Sequence, residues 1–522
     1  MQFLCDSNYI VLPVNRRARM KSLRFFCGNE PLLELNLALD ETRPDFFVRY
    51  DVRRFKNKMI SVRCEPDTPF QIRKADTAAA ACDEALRPKI HFTAHMGWLN
   101  DPNGLVYYDG LYHMFFQHNP VGTVWSNMHW GHAVSRDLMH WKEKEIALFP
   151  DKTGTMFSGS AIVDSKNLLG LKNTKDNVLV LFYTAAGGTS FLSEGEPFTQ
   201  CMAYSADGGK TFEKYAFNPI IEQLEEGNRD PKVIYHEASK QYIMALYLKE
   251  NKFLLLSSSD LKNWTRIEEI TLDGDAECAD FYPLPLDNNP NIIKWVFTGA
   301  SDRYIIGEFD GRHFHQETAV QTLHRGKLSY ASQSWSNAPD NRRIRISWNR
   351  FEIPAKSFNM CMTIPCEMSL RSSKSGMCLC AYPVRELQLL YGTYTKIREI
   401  SLTKGDIHCT KVTPAAYDIL FEMDCSKDAC LKLQIFGMEA IFNLFQRQIV
   451  CCGESTTINE TGSRVKIRLI ADTTGLELFM DDGAIYMLGG AIADYHRNEF
   501  TLTVKSGEIT VKNLEIHKLK SI

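Results

Sequence analysis

The sequence predicts an all-β protein in which a five-bladed β-propeller follows a small N-terminal β module and precedes a C-terminal β-sandwich. Three observations support this prediction. Short alternating apolar runs open the chain, one strand-and-turn motif recurs through its middle, and longer alternating runs fill its end. These patterns are typical of half-buried strands, of repeated blades and of packed sheets. We expect the three parts to span residues 1–88, 89–388 and 389–522.

The first part predicts a small antiparallel β module. Alternating apolar runs separated by turn residues cover 9–12, 23–26, 32–37 and 46–50. The alanine-rich stretch from Ala75 to Arg87 predicts a short helix or tether, which Pro88 ends. The role of the module is left open between packing, contacts in a homo-oligomer and substrate binding.

The middle part contains a repeated motif made of a strand end, an aspartate turn and an aromatic residue four or five positions later. The turn residues are Asp137, Asp207, Asp260 and Asp310. They lie 70, 53 and 50 residues apart. A repeat of this length that is built from strands and turns, without helices, predicts propeller blades.

Polar residues mark the start of each predicted blade. The five starts are Asn100-Asp101, 157–160, 228–231, 276–280 and 330–335. The innermost strand of every blade lines one central channel, so these starts converge on one mouth of the propeller. Three of them carry a carboxylate: Asp101, Asp230 and Glu277. Crowding three acids costs repulsion and desolvation, which indicates a functional site.

From residue 389 the pattern changes to longer alternating strands. They are predicted at 417–423, 431–436, 465–470, 476–480, 500–504 and 509–511. The segment Asp481-Asp482-Gly483 is a hairpin-turn signal. Together these features predict a β-sandwich. The part contains no paired acids and no nucleophile motif, so we expect it to support the propeller or to bind a ligand.

Two carboxyl groups that face each other across a sugar are the usual arrangement for glycoside hydrolysis. One attacks the anomeric carbon or activates water, and the other protonates the leaving oxygen. We expect a neighbouring carboxylate to raise the pKa of the acid, and Arg229 to keep Asp230 ionised. The aromatic residues expected to stack on the sugar are Trp98, Trp125, Phe157, Tyr330 and Trp348.

A metal site on the three carboxylates is the rival interpretation. Oxygen donors would suit Ca²⁺ or Mg²⁺. The chain lacks the D-x-[DN]-x-[DN]-G loop that would support this interpretation, so we predict no metal and no cofactor.

Seven short motifs follow one another in a fixed order. They are WLNDPNG at 98–104, FFQHNP at 115–120, MHWGHA at 128–133, FSGS at 157–160, RDPKV at 229–233, EC at 277–278 and MTIP at 362–365. In this order they resemble glycoside hydrolase family 32, the invertase, inulinase and levanase family of β-fructofuranosidases. The resemblance covers about residues 89–522. It implies a five-bladed propeller joined to a C-terminal β-sandwich.

The resemblance also implies a retaining double displacement. Asp101 matches the nucleophile, Glu277 the acid/base, and Asp230 the residue that stabilises the transition state by holding fructose hydroxyls. The predicted substrate-binding residues are Asn100, Gln117, Trp125, Phe157, Ser158, Arg229, Tyr330 and Trp348. A retaining mechanism predicts that the two catalytic carboxyl groups lie about 5–5.5 Å apart.

Two positions depart from the family pattern. Cys366 stands where an arginine is common, and Ala279 replaces the usual proline after Glu-Cys. Neither position is one of the three acids, but the resemblance does not fix the local loop geometry and the orientation of the acid where these residues differ.

The predicted activity is release of fructose from the non-reducing β-fructofuranosyl ends of sucrose, fructo-oligosaccharides or fructans of inulin or levan type. Two alternatives remain. One is a fructosyltransferase that uses the same covalent intermediate, and the other is a non-catalytic, fructan-binding propeller. The linkage preference, the chain-length preference and exo or endo attack are left open.

Composition limits the partners and the compartment. The formal net charge of −3 predicts no attraction to nucleic acid or to an anionic membrane. No apolar run is long enough to span a bilayer. The N-terminus lacks the layout of a signal peptide, and the 15 cysteines include no C-x-x-C pair. We therefore expect a cytoplasmic protein with reduced thiols, or a secreted one if a leader has been removed. His91, His95, His129, His132 and Cys278 are expected to be structural.

Overall fold

The computed structural model describes residues 1–77, 85–172, 176–373, 376–458 and 464–522. Among these residues the helical segments are short 3₁₀ turns at Arg53–Phe55, Phe191–Ser193, Pro339–Asn341, Arg385–Leu390 and Asp481–Gly483. None of the helices in the described residues is long and apolar enough to cross a membrane. The predicted helix or tether at 75–87 falls mainly on residues 78–84, which lie outside the described part of the chain.

Strands within residues 1–77 form two small sheets, as the alternating apolar pattern predicts. The strands are β1 (Gln2–Leu4), β2 (Tyr9–Val14), β3 (Lys21–Cys27), β4 (Glu30–Leu37), β5 (Phe46–Asp51), β6 (Met59–Glu65) and β7 (Arg73–Ala75). One sheet has the order β1-β6-β3-β4 and the other the order β5-β2-β7. Their apolar faces share one core, and this core also takes in Val121 from the following part of the chain.

Among the described residues between 97 and 383, five sheets follow, and the main strands of each form an antiparallel meander. Their strands are β8 (Gly97–Tyr108), β9 (Leu111–Asn119), β10 (His129–Ser135), β11 (Trp141–Glu143), β12 (Thr155–Asp164), β13 (Val178–Ala186), β14 (Phe198–Ser205), β15 (Glu213–Lys214), β16 (Arg229–His236), β17 (Gln241–Lys249), β18 (Lys252–Ser258), β19 (Thr265–Thr271), β20 (Asp280–Pro285), β21 (Ile293–Thr298), β22 (Arg303–Phe309), β23 (Phe314–Gln316), β24 (Gln321–Thr322), β25 (Ser329–Ser334), β26 (Ile344–Asn349), β27 (Phe358–Asn359), β28 (Cys361–Met362), β29 (Cys366–Ser373) and β30 (Gly376–Pro383). The main strands of the five sheets are β8–β11, β12–β15, β16–β19, β20–β23 and β25-β26-β29-β30.

The first strands of the five sheets form a closed ring. β8 contacts β12, β12 contacts β16, β16 contacts β20, β20 contacts β25, and β25 contacts β8. Backbone hydrogen bonds that join Ser336 to Leu105 and Tyr107 strengthen the last of these contacts. Each sheet is therefore one blade of a propeller, and the first strand of each blade lines the central axis.

The recurring aspartate occupies the same place in four blades. Asp137, Asp207, Asp260 and Asp310 lie in the turn between the third and fourth strands of their blades, and each carboxylate accepts two backbone N–H groups of that turn. An aspartate that bonds nearby backbone in this way fixes a tight turn. This requirement is the physical reason for the repeat in the sequence.

The last part of the chain is two packed six-stranded sheets. Its strands are β31 (Tyr391–Thr403), β32 (Ile407–Lys411), β33 (Ala416–Cys425), β34 (Cys430–Ile435), β35 (Met438–Asn443), β36 (Gln448–Cys451), β37 (Glu454–Thr457), β38 (Arg464–Asp472), β39 (Gly475–Met480), β40 (Ile485–Gly490), β41 (Glu499–Ser506) and β42 (Glu508–Leu519). The sheet orders are β31-β42-β33-β38-β39-β40 and β32-β41-β34-β35-β36-β37. The turn predicted at 481–483 joins β39 to β40.

A buried histidine joins the propeller to this sandwich. Both ring nitrogens of His91 are hydrogen-bonded, Nδ1 to Asp472 at 2.7 Å and Nε2 to Glu477 at 2.9 Å. The Glu477 carboxylate also accepts the backbone N–H of Ile364 from the last blade. The structural role expected for His91 is therefore confirmed.

Candidate active site

The inner strands of four blades are irregular near their first residues. Their β-bulges lie between Leu99 and Pro102, Phe157 and Gly159, Arg229 and Lys232, and Tyr330 and Gln333. A bulge turns a side chain away from the alternating strand pattern. In the remaining blade, Glu277 lies three residues before β20 and has a positive φ of 54°, and Asp230 has a φ of 63°. Such backbone angles cost about 1–3 kcal/mol in a residue other than glycine and are concentrated at functional sites.

These irregular strand starts line one open depression of about 650 Å³ at the mouth of the propeller. The lining residues are Asn100, Asp101, Gln117, Trp125, Phe157, Ser158, Arg229, Asp230, Glu277, Tyr330 and Trp348. The structure thus brings together, from all five blades, the three acids and the eight residues predicted to bind substrate. Trp98, which was also expected to stack on the sugar, is buried and is not among the lining residues. Because the starts of the inner strands converge on one mouth of the propeller, residues up to 248 positions apart in the sequence meet here.

Asp101 is held by two donors. Ser158 Oγ donates to Asp101 Oδ2 at 2.6 Å, and Asn100 Nδ2 donates to Oδ1 at 3.1 Å. Asn100 is itself fixed by Trp98, whose Nε1 donates to its side-chain oxygen at 2.9 Å. Burial raises the pKa of Asp101, and the two hydrogen bonds oppose this effect. The carboxylate is therefore oriented as well as desolvated.

Asp230 has a raised pKa, which contradicts the expectation that Arg229 keeps it ionised. Burial raises the pKa of Asp230 to about 7, and the nearby charge of Glu277 adds to the shift while Arg229 opposes it. Arg229 does not offset the effect of burial on Asp230, because its guanidinium group is directed towards Glu277. The guanidinium group turns its Nη2 to Glu277 at 2.5 Å, and its nearest approach to Asp230 is 3.9 Å from Nε.

One thiol lies between two of the acids. Cys278 Sγ is 3.6 Å from Asp101 Oδ2 and 3.5 Å from Asp230 Oδ2, and the backbone N–H of Cys278 donates to Asp230 at 3.1 Å. Burial raises the pKa of this thiol far above its usual value, and both carboxylates add to the effect. Cys278 is therefore a neutral donor that packs between the acids, which agrees with the structural role expected from the sequence.

Glu277 is bound by cationic and phenolic donors. Arg229 donates to Oε1, and the Tyr330 hydroxyl donates to Oε2 through a short hydrogen bond. Burial alone would raise the pKa of Glu277, but these hydrogen bonds outweigh it and hold the pKa below its usual value. The raised pKa expected for the acid from like-charge repulsion is therefore wrong for this structure, because the hydrogen bonds from Tyr330 and Arg229 and the charge of Arg229 together favour the ionised form of Glu277.

The surroundings of the three carboxylates do not favour a metal ion. Among the described residues no group of three or more His, Cys, Asp or Glu side chains is arranged to hold a metal ion. Arg229 contacts both Asp230 and Glu277, which places a positive charge between these two acids. A cation there would be repelled.

Aromatic rings surround the acids. Trp348 packs edge-on against Trp98 and Tyr330, with ring centroids 5.9 Å and 6.2 Å apart. Trp125 stands at the rim with 53% of its surface exposed and contacts Phe157 edge-on. Trp348 Nε1 is buried and has no hydrogen-bond partner among the described residues. These rings offer apolar faces to a sugar, and the free indole N–H offers it a donor.

Three residues that contact the site residues were not predicted from the sequence. With its amide oriented to satisfy its neighbours, the buried Asn103 donates to Ser158 Oγ at 3.2 Å and accepts from Gln117 Nε2 at 3.1 Å. Tyr247 lies under the guanidinium of Arg229, and Arg350 lies over the rings of Tyr330 and Trp348. The position of Asn103 inside WLNDPNG was a signal for its role. Tyr247 and Arg350 lie outside every motif.

The family model described as "Glycosyl hydrolases family 32 N-terminal domain" matches residues 91–383, which include every residue of the depression. The chain belongs to glycoside hydrolase family 32. This family 32 enzyme is 34% identical over 490 residues to a levanase from Bacillus subtilis (strain 168), covering 84% of this chain and 71% of that protein. It is 30% identical over 505 residues to an extracellular exo-inulinase from Aspergillus awamori, covering 82% and 91%.

Solved structures support the fold of this family 32 enzyme. The crystal structure of exo-inulinase from Aspergillus awamori superimposes with a TM-score of 0.75 at 24% identity, covering 84% of this chain and 99% of that chain. A β-fructofuranosidase from Schwanniomyces occidentalis, complexed with fructosyl-erythritol, superimposes with a TM-score of 0.74 at 25% identity, covering 83% and 98%. The predicted fold class, a propeller followed by a sandwich, is confirmed.

Proposed function

We propose that this enzyme releases fructose from the non-reducing β-fructofuranosyl ends of sucrose, fructo-oligosaccharides or fructans by a retaining double displacement. The observation that carries the proposal is the meeting of Asp101, Asp230 and Glu277 in one aromatic-walled depression. The relatives named levanase and exo-inulinase, and the neighbour complexed with a fructosyl ligand, support a fructoside as the substrate.

In the first step Asp101 attacks the anomeric carbon of the fructosyl unit while Glu277 donates a proton to the leaving oxygen. The glycosidic bond breaks, and an ester bond forms between the fructosyl unit and Asp101. In the second step Glu277 removes a proton from water, the water oxygen attacks the same carbon, and the ester bond breaks. Fructose leaves with its anomeric configuration retained, Asp101 is again a carboxylate, and Glu277 is again protonated.

Substrate binding has to move a proton to Glu277 before this chemistry begins. In the structure, burial raises the pKa values of Asp101 and Asp230, whereas Tyr330 and Arg229 lower that of Glu277. Sugar hydroxyls that donate to the two aspartates favour their ionised forms, and a leaving oxygen beside Glu277 favours its protonated form. Because the three acids interact, they titrate as one group and the proton can redistribute among them.

Asp230 and the aromatic walls position the sugar in this proposal. Asp230 would hold fructose hydroxyls as positive charge develops on the ring. Asn100, Gln117, Ser158 and Arg229 would supply further polar contacts, and Trp125, Phe157, Tyr330 and Trp348 would pack against the sugar. Trp348 Nε1, which has no hydrogen-bond partner in the part of the chain that the structure describes, is available to donate to a substrate oxygen.

The division of the chain at 1–88, 89–388 and 389–522 is part of the same proposal, with catalysis assigned to the middle part. The last propeller strand ends at Pro383 and the first sandwich strand begins at Tyr391, which supports the second boundary. The cytoplasmic location stays a prediction, and the exo-inulinase relative from Aspergillus awamori is named as extracellular.

Fructose release from sucrose, an inulin-type oligomer and a levan-type oligomer tests the proposed function. Asp101→Asn keeps the size of the side chain and removes its nucleophilic charge, so we expect release to fall at least about 10⁴-fold on every substrate. Transfer products at high sucrose concentration would instead support the fructosyltransferase alternative. A variant as active as the parent would refute the nucleophile assignment, and a parent inactive on all three sugars would refute the proposed function.

A further inference from the structure

A second groove lies beside the catalytic depression and is built partly by the N-terminal module. It lies between strand β4 of the module and the first two blades, and its space, including the solvent at its opening, is about 440 Å³. Its lining residues are Glu34, Asn36, Trp125, Ser126, Asn127, Met128, Pro150, Thr155, Thr189, Ser190 and Leu192. Trp125 also lines the depression that holds the three acids. The two spaces therefore meet at one half-exposed indole ring.

The module holds the loop that carries this ring. Asn127 Oδ1 accepts the backbone N–H of Asn36 at 2.7 Å, and Asn127 Nδ2 donates to the backbone oxygen of Asn36 at 2.7 Å. Val121, at the start of the same loop, is buried in the core of the module. A pair of side-chain hydrogen bonds and a buried apolar anchor thus fix the loop from 120 to 128. The N-terminal module therefore fixes the position of the loop that carries Trp125.

The groove has the chemistry of a sugar subsite. Its polar lining consists of hydroxyl and amide side chains and one carboxylate, that of Glu34, of which only 7% is exposed. Glu34 accepts from Arg24 Nε at 3.0 Å and from the backbone N–H of Phe191 at 2.8 Å. A carboxylate has about four acceptor positions, so two remain for hydroxyl donors. An exposed tryptophan ring beside these polar side chains suits a neutral sugar, which has both apolar C–H faces and hydroxyl groups.

We propose that this groove binds the leaving-group side of a fructo-oligosaccharide or fructan, namely the sugar units beyond the bond that is cleaved. The proposal rests on the function proposed above and extends it to chain length. A disaccharide occupies the catalytic depression up to Trp125, and a longer chain continues past this ring over Asn36, Ser126 and Thr189. The N-terminal module then acts as a specificity element that favours oligomers over sucrose.

Thr189→Trp tests the proposal because this exposed position allows a bulky side chain to fill the groove without entering a core. The measurement is kcat/KM for sucrose and for an inulin-type and a levan-type tetrasaccharide. We expect the ratio of tetrasaccharide to sucrose to fall about fivefold or more for at least one linkage, equivalent to about 1 kcal/mol. Thr395→Trp, at an exposed position of the sandwich, is the matched control and should keep the ratio of the parent.

Binding provides a second readout that needs no turnover. In an Asp101→Asn background, calorimetry should show that Thr189→Trp weakens tetrasaccharide binding by a similar factor while thermal unfolding confirms a folded protein. An unchanged ratio together with unchanged binding would overturn the groove proposal and leave the proposed function intact. A parent that releases no fructose from sucrose or from either tetrasaccharide would refute the proposed function, and the binding measurement would still decide whether the groove holds the oligosaccharide.

Discussion

At the scale of single residues, the pairing of charged side chains in the site does not follow their order in the sequence. The neighbour of Asp230 in the chain is Arg229, yet the guanidinium pairs more closely with Glu277, 48 residues away. The positive φ of Asp230 and the bulge after Arg229 separate two side chains that adjacency suggested would pair. Sequence motifs identified these residues, but the direction of their side chains depends on backbone irregularities that no periodicity reveals.

Tyr330→Phe tests the control of Glu277 by its neighbours. The hydroxyl of Tyr330 donates to Glu277 and favours its ionised form, so removal of the hydroxyl raises the pKa of Glu277. The general acid must be protonated, and activity is lost as the pH rises through its pKa. We therefore expect the alkaline limb of the kcat/KM profile to move to higher pH in the variant.

Tyr394→Phe, on the exposed face of the sandwich, is the control and should leave the pH profile in place. An alkaline limb that stays fixed or moves to lower pH in Tyr330→Phe would contradict the assignment of Glu277 as the acid, or the influence of Tyr330 on it.

At the scale of elements, the blade repeat was predictable because each turn needs an acceptor for its backbone N–H groups. In four blades the aspartate accepts backbone N–H groups of its turn, so the same residue type recurs at this place. The fifth blade lacks this signal, since its third and fourth strands are the long hairpin of β29 and β30. The bulges at the blade starts were not predictable, because they depend on how each inner strand meets its neighbours around the ring.

Gly159→Ala tests the bulge that holds Ser158 against Asp101. A Cβ at Gly159 would lie closer than 3 Å to the backbone of Phe182 and Tyr183 in the neighbouring strand, and backbone atoms cannot move aside cheaply. We expect about 3 kcal/mol of destabilisation. We also expect kcat/KM to fall on the order of a hundredfold as Ser158 shifts. Thermal unfolding and steady-state kinetics measure the two effects.

Gly170→Ala is the comparison variant, because no atom of the described residues lies within 4 Å of the Cβ that it would add. Its positive φ of 71° gives a strain of about 1–2 kcal/mol without any contact with the site. Equal activity losses in the two variants would show that the bulge at Gly159 has no special part in orienting the site.

At the scale of the whole molecule, contacts between distant parts of the chain decide what the sequence leaves open. His91 meets Asp472 and Glu477 across more than 380 positions, and Asn36 meets Asn127 across 91. No local sequence pattern predicts hydrogen-bonded pairs that are so far apart in the chain. The order of the motifs nevertheless predicted the family and the fold class. The convergence of the three acids was also predictable, because each acid lies at the start of a blade that the sequence pattern reveals.

His91→Ala tests the junction between propeller and sandwich. Burial opposes protonation of His91, but its hydrogen bonds to Asp472 and Glu477 raise its pKa to about 10. Because this value exceeds the ordinary pKa of about 6.5, the ion network contributes its full stability below about pH 6.5. The contribution is lost as the pH rises through about 10. Removing one member of a buried charge network costs about 3–5 kcal/mol.

We expect the thermal midpoint of His91→Ala to lie well below that of the parent at pH 6, and the difference to shrink toward pH 10. His313→Ala, at an exposed position, should behave as the parent at both pH values. A difference that grows with rising pH would show that His91 is neutral in the folded protein.

The most direct test of the proposed double displacement is to trap the covalent intermediate on Asp101. In Glu277→Gln, β-fructosyl fluoride can lose fluoride without help from an acid, while hydrolysis of the ester is slow because the base is missing. Mass spectrometry of the acid-quenched, digested protein should find one added fructosyl unit on the peptide that contains Asp101, and none in the Asp101→Asn, Glu277→Gln double variant. A fructosyl unit attached at Asp230, or fructose released with inverted configuration and no adduct, would contradict the double displacement at Asp101.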